Sequence, residues 1–115
     1  MAVSKPILKD AKPAGEDLSE ALFLLVKLNS SGAYVKAAAG DLPAGSVYEA
    51  AKQGDPVTVD CKGLIKVKLG GAVTAGGEVS AGANGLAVAS AAAGEGFAVA
   101  RESGVANQII CVITK

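Results

Sequence analysis

Turn-forming residues recur along this chain about every eight to twelve positions and divide it into short runs rich in valine and isoleucine. Gly, Pro, Asn and Asp separate runs such as SVYEA, VTVDC, LIKVKL and QIICVIT. Short strands at this spacing are typical of an all-β sandwich or barrel. No stretch after residue 28 has the period of a long amphipathic helix. The sequence therefore predicts one small all-β domain of short strands.

The segment from Leu69 to Gly96, LGGAVTAGGEVSAGANGLAVASAAAGEG, has the composition of a flexible linker. Its glycines, however, fall in doublets or beside Asn, between alternating runs such as AVTA, EVSA and LAVAS. The pair Asn84-Gly85 favours a two-residue hairpin turn, because both residue types tolerate positive φ. We therefore expect this segment to form folded hairpins of closely packed strands.

The run DLSEALFLLVKL, residues 17–28, fits two patterns. Its leucines fit one face of a helix at first and one face of a strand later. We expect a short helical turn at Asp17–Ala21, followed by a strand. The polar group Asn29–Gly32 then predicts a turn, and AYVKA resumes an extended pattern, which makes a hairpin.

An internal repeat relates residues 33–60 to residues 87–113 with a shift of 53 or 54 positions. Val35 then aligns with Val88, and the AAAG that ends at Gly40 aligns with the AAAG that ends at Gly94. Repeated units of this kind pack together because each is too poor in large side chains to be stable alone. The pattern predicts two similar β units within the single domain at 17–115.

Residues 1–16 contain two prolines and alternate charges with isolated apolar residues, so they predict an extended N-terminal arm. Two interpretations stay open for this arm. It is either a terminus without a role or a segment that becomes ordered on a partner. In the second case Val3, Ile7 and Leu8 are its apolar anchors.

Composition limits the core and the partners of this chain. Half of its 115 residues are hydrophobic, but it has two Phe, two Tyr and no Trp, so the core is thin and association with a partner is favoured. Eleven basic and eleven acidic residues give zero net charge, which argues against nucleic acid. Lys62, Lys66 and Lys68 predict a solvated strand face. No run approaches the length of a transmembrane span, and we expect a soluble protein made inside the cell.

Catalytic chemistry has little support in the sequence. There is no histidine to activate a nucleophile, and neither a phosphate-binding loop nor a dinucleotide fingerprint is present. The absence of His and of a CxxC pair argues against a metal site. We expect no enzymatic activity, no cofactor and no small-molecule substrate. Cys61 and Cys111 are expected as free thiols, at least one of them packed in the core, with a disulfide as the open alternative.

One alternative function rests on the run GSVYEAAKQGDPVTVD, which is similar to biotinyl- and lipoyl-type carrier domains. In that family a lysine at a hairpin tip carries the cofactor. Lys52 takes that place here, but Gln53-Gly54 follows where a hydrophobic residue and a continuing strand are expected. A generic β binding module belongs to the same alternative.

The leading hypothesis comes from the order and spacing of several segments. DLSEALFLLVKL, AGSVYEA, GLIKVKLGGAV, NGLAV, AAAGEG and ESGVANQIICV together resemble the capsid decoration, or cement, proteins of tailed bacteriophages. The resemblance extends over 17–37, 44–88 and 91–112, nearly all of the chain after the arm. Its motifs are turn glycines and alternating small apolar residues.

This resemblance implies a small β-barrel or β-tulip fold with an extended N-terminal arm and at most one short helical turn. It also implies a structural virion protein on the capsid exterior, made in the host cytoplasm, without a membrane or nucleic-acid partner. Such proteins bind the expanded shell, stabilise it by bridging neighbouring major capsid subunits, and often form homotrimers at three-fold or quasi-three-fold positions. The arm then contacts the capsid, through residues Val3, Lys5, Pro6, Ile7, Leu8 and Lys9.

Overall fold

The structure of the protein, a computed structural model, describes residues 5–115, which form an almost entirely β fold. Within these residues the one helical element is a 3-10 turn at Ala83–Gly85. The expected all-β class with at most one short helical turn is confirmed. The strands are β1 (Lys5–Pro13), β2 (Leu25–Leu28), β3 (Tyr34–Lys36), β4 (Gly45–Glu49), β5 (Pro56–Lys68), β6 (Glu78–Ala81), β7 (Ala87–Ala89), β8 (Ala98–Ala100) and β9 (Ile109–Thr114).

All nine strands pair antiparallel in one curled sheet that resembles half a barrel. Its order is β3-β2-β4-β5-β9-β8-β6-β7, and β1 pairs with β5 beside this path. Strand β5 has 13 residues. Its first part, up to Asp60, lies between β1 and β4, and its second part, Leu64–Lys68, pairs with β9. A single continuous strand therefore joins the two halves of the sheet.

The two halves of the sheet repeat each other in position. Strands β2, β3, β4 and β5 begin at residues 25, 34, 45 and 56, and β6, β7, β8 and β9 begin at 78, 87, 98 and 109, a constant difference of 53. The order β3-β2-β4-β5 from one end of the sheet matches β7-β6-β8-β9 from the other. The sequence repeat itself stays a prediction, and this arrangement favours units that begin at β2, earlier than residue 33.

Loop hydrogen bonds repeat in the same way. The amide of Phe23 donates to the carbonyl of Val47 at 2.9 Å, and 53 residues later the amide of Gly76 donates to that of Ala100 at 2.8 Å. Each half also curls back on its first segment. A parallel bridge joins Ala14 to Tyr34 in one half, and its counterpart joins residues 69 and 87 in the other. Curling in this way leaves fewer unpaired edges on the outermost strands.

The core consists of two clusters, one in each half. The first cluster is built around the largest buried side chains of its half, Leu18 and Tyr34, together with small apolar residues. The second includes Ile65, Leu69 and Ile110, and it also takes in Leu25 from the first half. Burial of apolar area is the main stabilising term for such a sheet, at roughly 25 cal/mol per Å². Because small side chains supply most of this area, the strands must approach closely.

The predicted arm at 1–16 is extended where the structure describes it, but it is not separate from the domain. Lys5–Pro13 form β1 along the first part of β5. The register slips between Pro6 and Leu8, so Ile7 is an extra residue in a β-bulge. Sequence pattern did not reveal this strand because most of its side chains are exposed and its partner lies some 50 positions away.

The helical turn expected at Asp17–Ala21 is wrong. That segment makes successive turns, in which the amide of Ala21 donates to Leu18 and the amide of Leu24 donates to Ala21. Phe23 has a positive φ of 65°, which ends any regular repeat. The following strand consequently begins at Leu25, after the long apolar run has started.

The predicted hairpins are present. A turn after Asn29 joins β2 to β3, and the Asn29 side-chain oxygen accepts the amides of Ser31 and Ala33 at 2.9 and 3.0 Å. Asn84 and Gly85 both have positive φ and lie in the connection between β6 and β7. That connection is longer than the expected two residues. The glycine-rich segment 69–96 is therefore folded, as expected.

Gly63 is a position at which a side chain should separate β1 from β5. Its φ is +105°, and an added Cβ would lie 2.7 Å from the carbonyl oxygen of Lys5 and 2.8 Å from the amide nitrogen of Ile7. We expect Gly63→Ala to reduce the free energy of unfolding by about 1–3 kcal/mol. Amides of β1 should also exchange faster with deuterium. Gly71→Ala is the control, because its Cβ would meet nothing within 4 Å; equal effects of the two changes would contradict the prediction.

Candidate functional site

The residues expected to contact a capsid fall into three groups. Val3 lies outside the described residues. Lys5, Ile7 and Leu8 are exposed on β1, and Ile7 keeps 85% of its surface accessible. Pro6 is half-buried beside the bulge. Three of the six residues therefore project from the domain at the start of β1.

Lys9, the remaining member of the predicted set, takes part in the fold. Its Nζ lies 2.6 Å from the carboxylate of Asp60, whose side chain is 4% exposed. The same ammonium lies 3.4 Å from the ring centroid of Tyr48, a cation–π contact. A buried carboxylate needs such a partner because desolvation is costly for an unpaired charge. Lys9 thus helps to hold β1 against β5, while its side chain stays 42% exposed.

A second side-chain contact holds β1 on the domain. The hydroxyl of Tyr34 donates to the carboxylate of Asp10 at 2.7 Å. Burial, and secondly this hydrogen bond, raise the pKa of Tyr34 well above its ordinary value of 10. The phenol therefore stays protonated at neutral pH and remains a donor. Together with Lys9 it anchors the middle of β1 and leaves the first part of the strand exposed.

A shallow depression of about 340 Å³ lies where β1, β5 and β9 meet. Leu64 pairs with Lys5 on one side and with Ile113 on the other. Ile113 is 45% exposed, and Ile7 of the bulge lines the same depression. We call this surface the amino-terminal patch, defined by Lys5, Ile7, Leu64 and Ile113. An exposed apolar group of this kind, rimmed by charge, is typical of interaction sites.

Two further lysines border the amino-terminal patch. Lys62 Nζ donates to the carbonyl oxygen of Lys115 at 2.8 Å, and Lys115 Nζ lies 3.0 Å from the carboxylate of Glu78. Glu78 also accepts the amides of Gly94 and Gly96 at 2.6 and 3.0 Å. The Gly94 amide first, then Lys115 and the Gly96 amide, lower the pKa of Glu78 to about 2. This carboxylate therefore ties the β7–β8 loop and the last residue of the chain to β6.

Lys52, the predicted carrier lysine, is exposed between β4 and β5. The loop around it is held against the preceding segment, since the amide of Leu18 donates to Ala51 and the amide of Gly54 donates to Ala14, both at 2.9 Å. Lys52 therefore lies in the loop that joins the antiparallel strands β4 and β5. The carrier interpretation stays a prediction.

Other chemical features of the described chain are few. Cys61 is half-buried and Cys111 is buried in the core, and both are free thiols. Residues 5–115 hold no group of three or more His, Cys, Asp or Glu side chains arranged to bind a metal ion. They also include no helix of the length and apolarity that crossing a bilayer requires.

Sequence reasoning found one side of the amino-terminal patch and missed the other. Lys5 and Ile7 were predicted from the arm, whereas Leu64, Ile113 and Lys115 were not. Both missed apolar residues belong to strands that were correctly expected. Their sequence pattern resembles that of a buried strand residue, so it did not indicate that their side chains are exposed. Only the pairing of three distant strands brings them together.

Comparison with known proteins gives matches in structure but none in sequence. No protein-family model and no curated protein matches the sequence. In structure the chain is similar to the N base of the head fibre gp8.5 of bacteriophage phi29, with a TM-score of 0.74 and 17% sequence identity. The similarity covers 94% of this chain and 93% of the other. The two proteins therefore share the whole of this fold.

The Lys9–Asp60 pair leads to a stability prediction. Lys9→Met removes the partner of a buried carboxylate and should lower the free energy of unfolding by about 1–2 kcal/mol, the low end for such pairs because Lys9 is exposed to solvent. Denaturant unfolding measures this change. Lys12→Met, on the same strand, is the matched control. If the two variants unfold alike, Lys9 has no anchoring role.

Glu78 leads to a prediction of pH dependence. Because its pKa is lower in the folded protein than its usual 4.5, its bonds stabilise the fold above that pH and lose their effect as the pH falls towards 2. The melting temperatures of the wild type and Glu78→Gln should therefore differ most above pH 4.5 and converge near pH 2. Glu95→Gln, in the adjacent loop, should follow the wild type throughout. A constant difference across this range would contradict the assignment.

Proposed function

We propose that this chain is a structural protein of a bacteriophage virion and binds the outer surface of the capsid. One observation carries the proposal: nearly the entire chain superposes on the base of a phage head fibre. The resemblance of its segments to phage decoration proteins supports the same role. Both comparisons point to a protein whose work is binding and not chemistry.

In this proposal the protein bridges neighbouring major capsid subunits, as a homotrimer at three-fold or quasi-three-fold positions. A thin core of small side chains suits a subunit that gains stability when it assembles. Contacts repeated over a shell also give strong retention from individually weak interfaces. The exposed apolar residues at the start of β1 supply one such contact.

The pairing of β1 with β5 changes how the amino-terminal segment is proposed to contact the capsid. Because β1 already uses one edge to pair with β5, it contacts the capsid through exposed side chains and not as a free arm. Its other edge pairs with no strand among residues 5–115. A strand of the capsid protein can add there, over a short stretch limited by Pro6 and Pro13.

Co-sedimentation with capsids of the phage that encodes this chain tests the proposal. The wild-type protein should pellet with expanded capsids and remain in the supernatant with unexpanded ones. Reconstruction of the decorated particles gives the lattice position and the number of copies at each site. Failure to pellet with either form of capsid would contradict a capsid-binding role.

The contact at the bulge is tested by Ile7→Asp. Replacing an apolar side chain that is 85% exposed should leave the melting temperature nearly unchanged but weaken capsid binding about tenfold, since the charge cannot be desolvated against a partner. Val105→Asp is the control, because Val105 is 56% exposed on a loop away from β1. Equal affinities for the two variants would remove Ile7 from the interface.

A further inference from the structure

The outward face of the second half of β5 carries lysines in a row. Successive side chains of a strand point to opposite sides, and here Ile65 and Val67 are buried while their even-numbered neighbours face outward. The even-numbered set contains three lysines and one leucine: Lys62, Leu64, Lys66 and Lys68. On this face Lys62 is exposed, whereas Lys66 and Lys68 are half-buried.

Strand β9 adds apolar residues to this face. Its Ile113 pairs with Leu64, and its Ile109 pairs with Lys68. These isoleucines are 45% and 42% exposed. We call the combined surface the basic face, defined by Lys62, Leu64, Lys66, Lys68, Ile109 and Ile113. It is continuous with the amino-terminal patch through Leu64 and Ile113.

The charge of the basic face is not neutralised by side-chain carboxylates within the described chain. No Asp or Glu side chain of residues 5–115 forms an ion pair with its three lysines, whereas such pairs do form at Lys9, Lys27 and Lys115. Lys62 Nζ instead donates to the main-chain oxygen of Lys115. Asp60, the carboxylate that precedes these lysines on β5, is already bound to Lys9. In a chain with zero net charge, positive charge is thus concentrated on one surface.

Phe23, a residue with a strained backbone, lies beside the basic face and contacts two of its lysines. Phe23 has a positive φ of 65°, where its counterpart in the second half is Gly76, with φ 85°. A bulky residue with φ in this region is strained. The ring of Phe23 lies 5.5 Å from Lys66 Nζ, within the range of a cation–π contact, and its carbonyl accepts the amide of Lys68 at 3.0 Å. The strained turn therefore positions two residues of the basic face.

We propose that the basic face binds an acidic, partly apolar surface of the capsid protein. The inference rests on the proposed function and specifies its interface. Three lysines without side-chain carboxylate partners favour a partner rich in Asp and Glu. The isoleucines beside them on β9 require that this partner also present apolar side chains, which bury the centre of the contact.

The first experiment compares Lys66→Gln/Lys68→Gln with Lys36→Gln/Lys52→Gln, a control that loses the same two charges from exposed positions elsewhere. The variant of the basic face should bind expanded capsids about tenfold more weakly than the control. Added salt should weaken wild-type binding more than binding of that variant. If both double variants bind like the wild type, the inference fails while the capsid-binding role stands. If the wild type does not bind, the proposed function itself fails.

The second experiment identifies the chemistry of the partner directly. A carbodiimide joins a lysine amine to a carboxylate in contact with it, and mass spectrometry locates the bond. On decorated capsids we expect cross-links from Lys62, Lys66 or Lys68 to Asp or Glu of the capsid protein. Cross-links confined to Lys36 and Lys52 would overturn the inference. Binding of the basic face to duplex DNA or to phosphatidylglycerol vesicles, but not to capsids, would overturn it as well.

Discussion

The pairing of one 13-residue strand with both halves of the sheet is the constraint on which this structure depends. Strand β5 serves as the inner strand of the first half and as the first strand of the second. Each half has its own cluster of small buried residues, and neither cluster is large. Continuous backbone pairing along β5 joins the two halves in one sheet, and it fixes which side chains of the two halves share a surface.

That shared surface follows from the register of three strands. Leu64 lies in the second part of β5, with Lys5 of β1 on one side and Ile113 of β9 on the other. A slip of one residue would turn all of these side chains to the opposite face. Gly63 holds this register, because its missing side chain leaves room for the bulge in β1. The geometry of the proposed interface and the stability of the fold therefore have a common origin.

The sequence predicted the elements that depend on local pattern and missed those that depend on distant pairing. Valine-rich runs separated by glycine form strands, and the polar residues after Asn29 form the turn of a hairpin. Both were predictable because alternation of apolar residues and turn preferences depend on a few neighbouring residues. Lys62, Lys66 and Lys68 were placed on one face for the same reason. The strand character of Lys5–Pro13 was hidden by exposed charges and two prolines, both tolerated on a strand with one free edge. Ile113 could join the site only through the register of β9.

Because the two halves of the sheet have matching positions, residues at equivalent places can be compared directly. Hydrogen bonds at Ala14 and Leu69 occupy matching places 55 residues apart. The amide of Ala14 donates to the carbonyl of Asp55, and the amide of Leu69 donates to the carbonyl of Gln108 in the corresponding loop. At that offset Lys66 corresponds to Ala11 of β1, and Lys68 corresponds to Pro13. The scaffold positions are thus alike, but lysine occupies these two places in the second half alone. Folding does not require lysine at these places, because the first half makes the same sheet without it. These lysines are therefore available for the interface that we propose for the basic face.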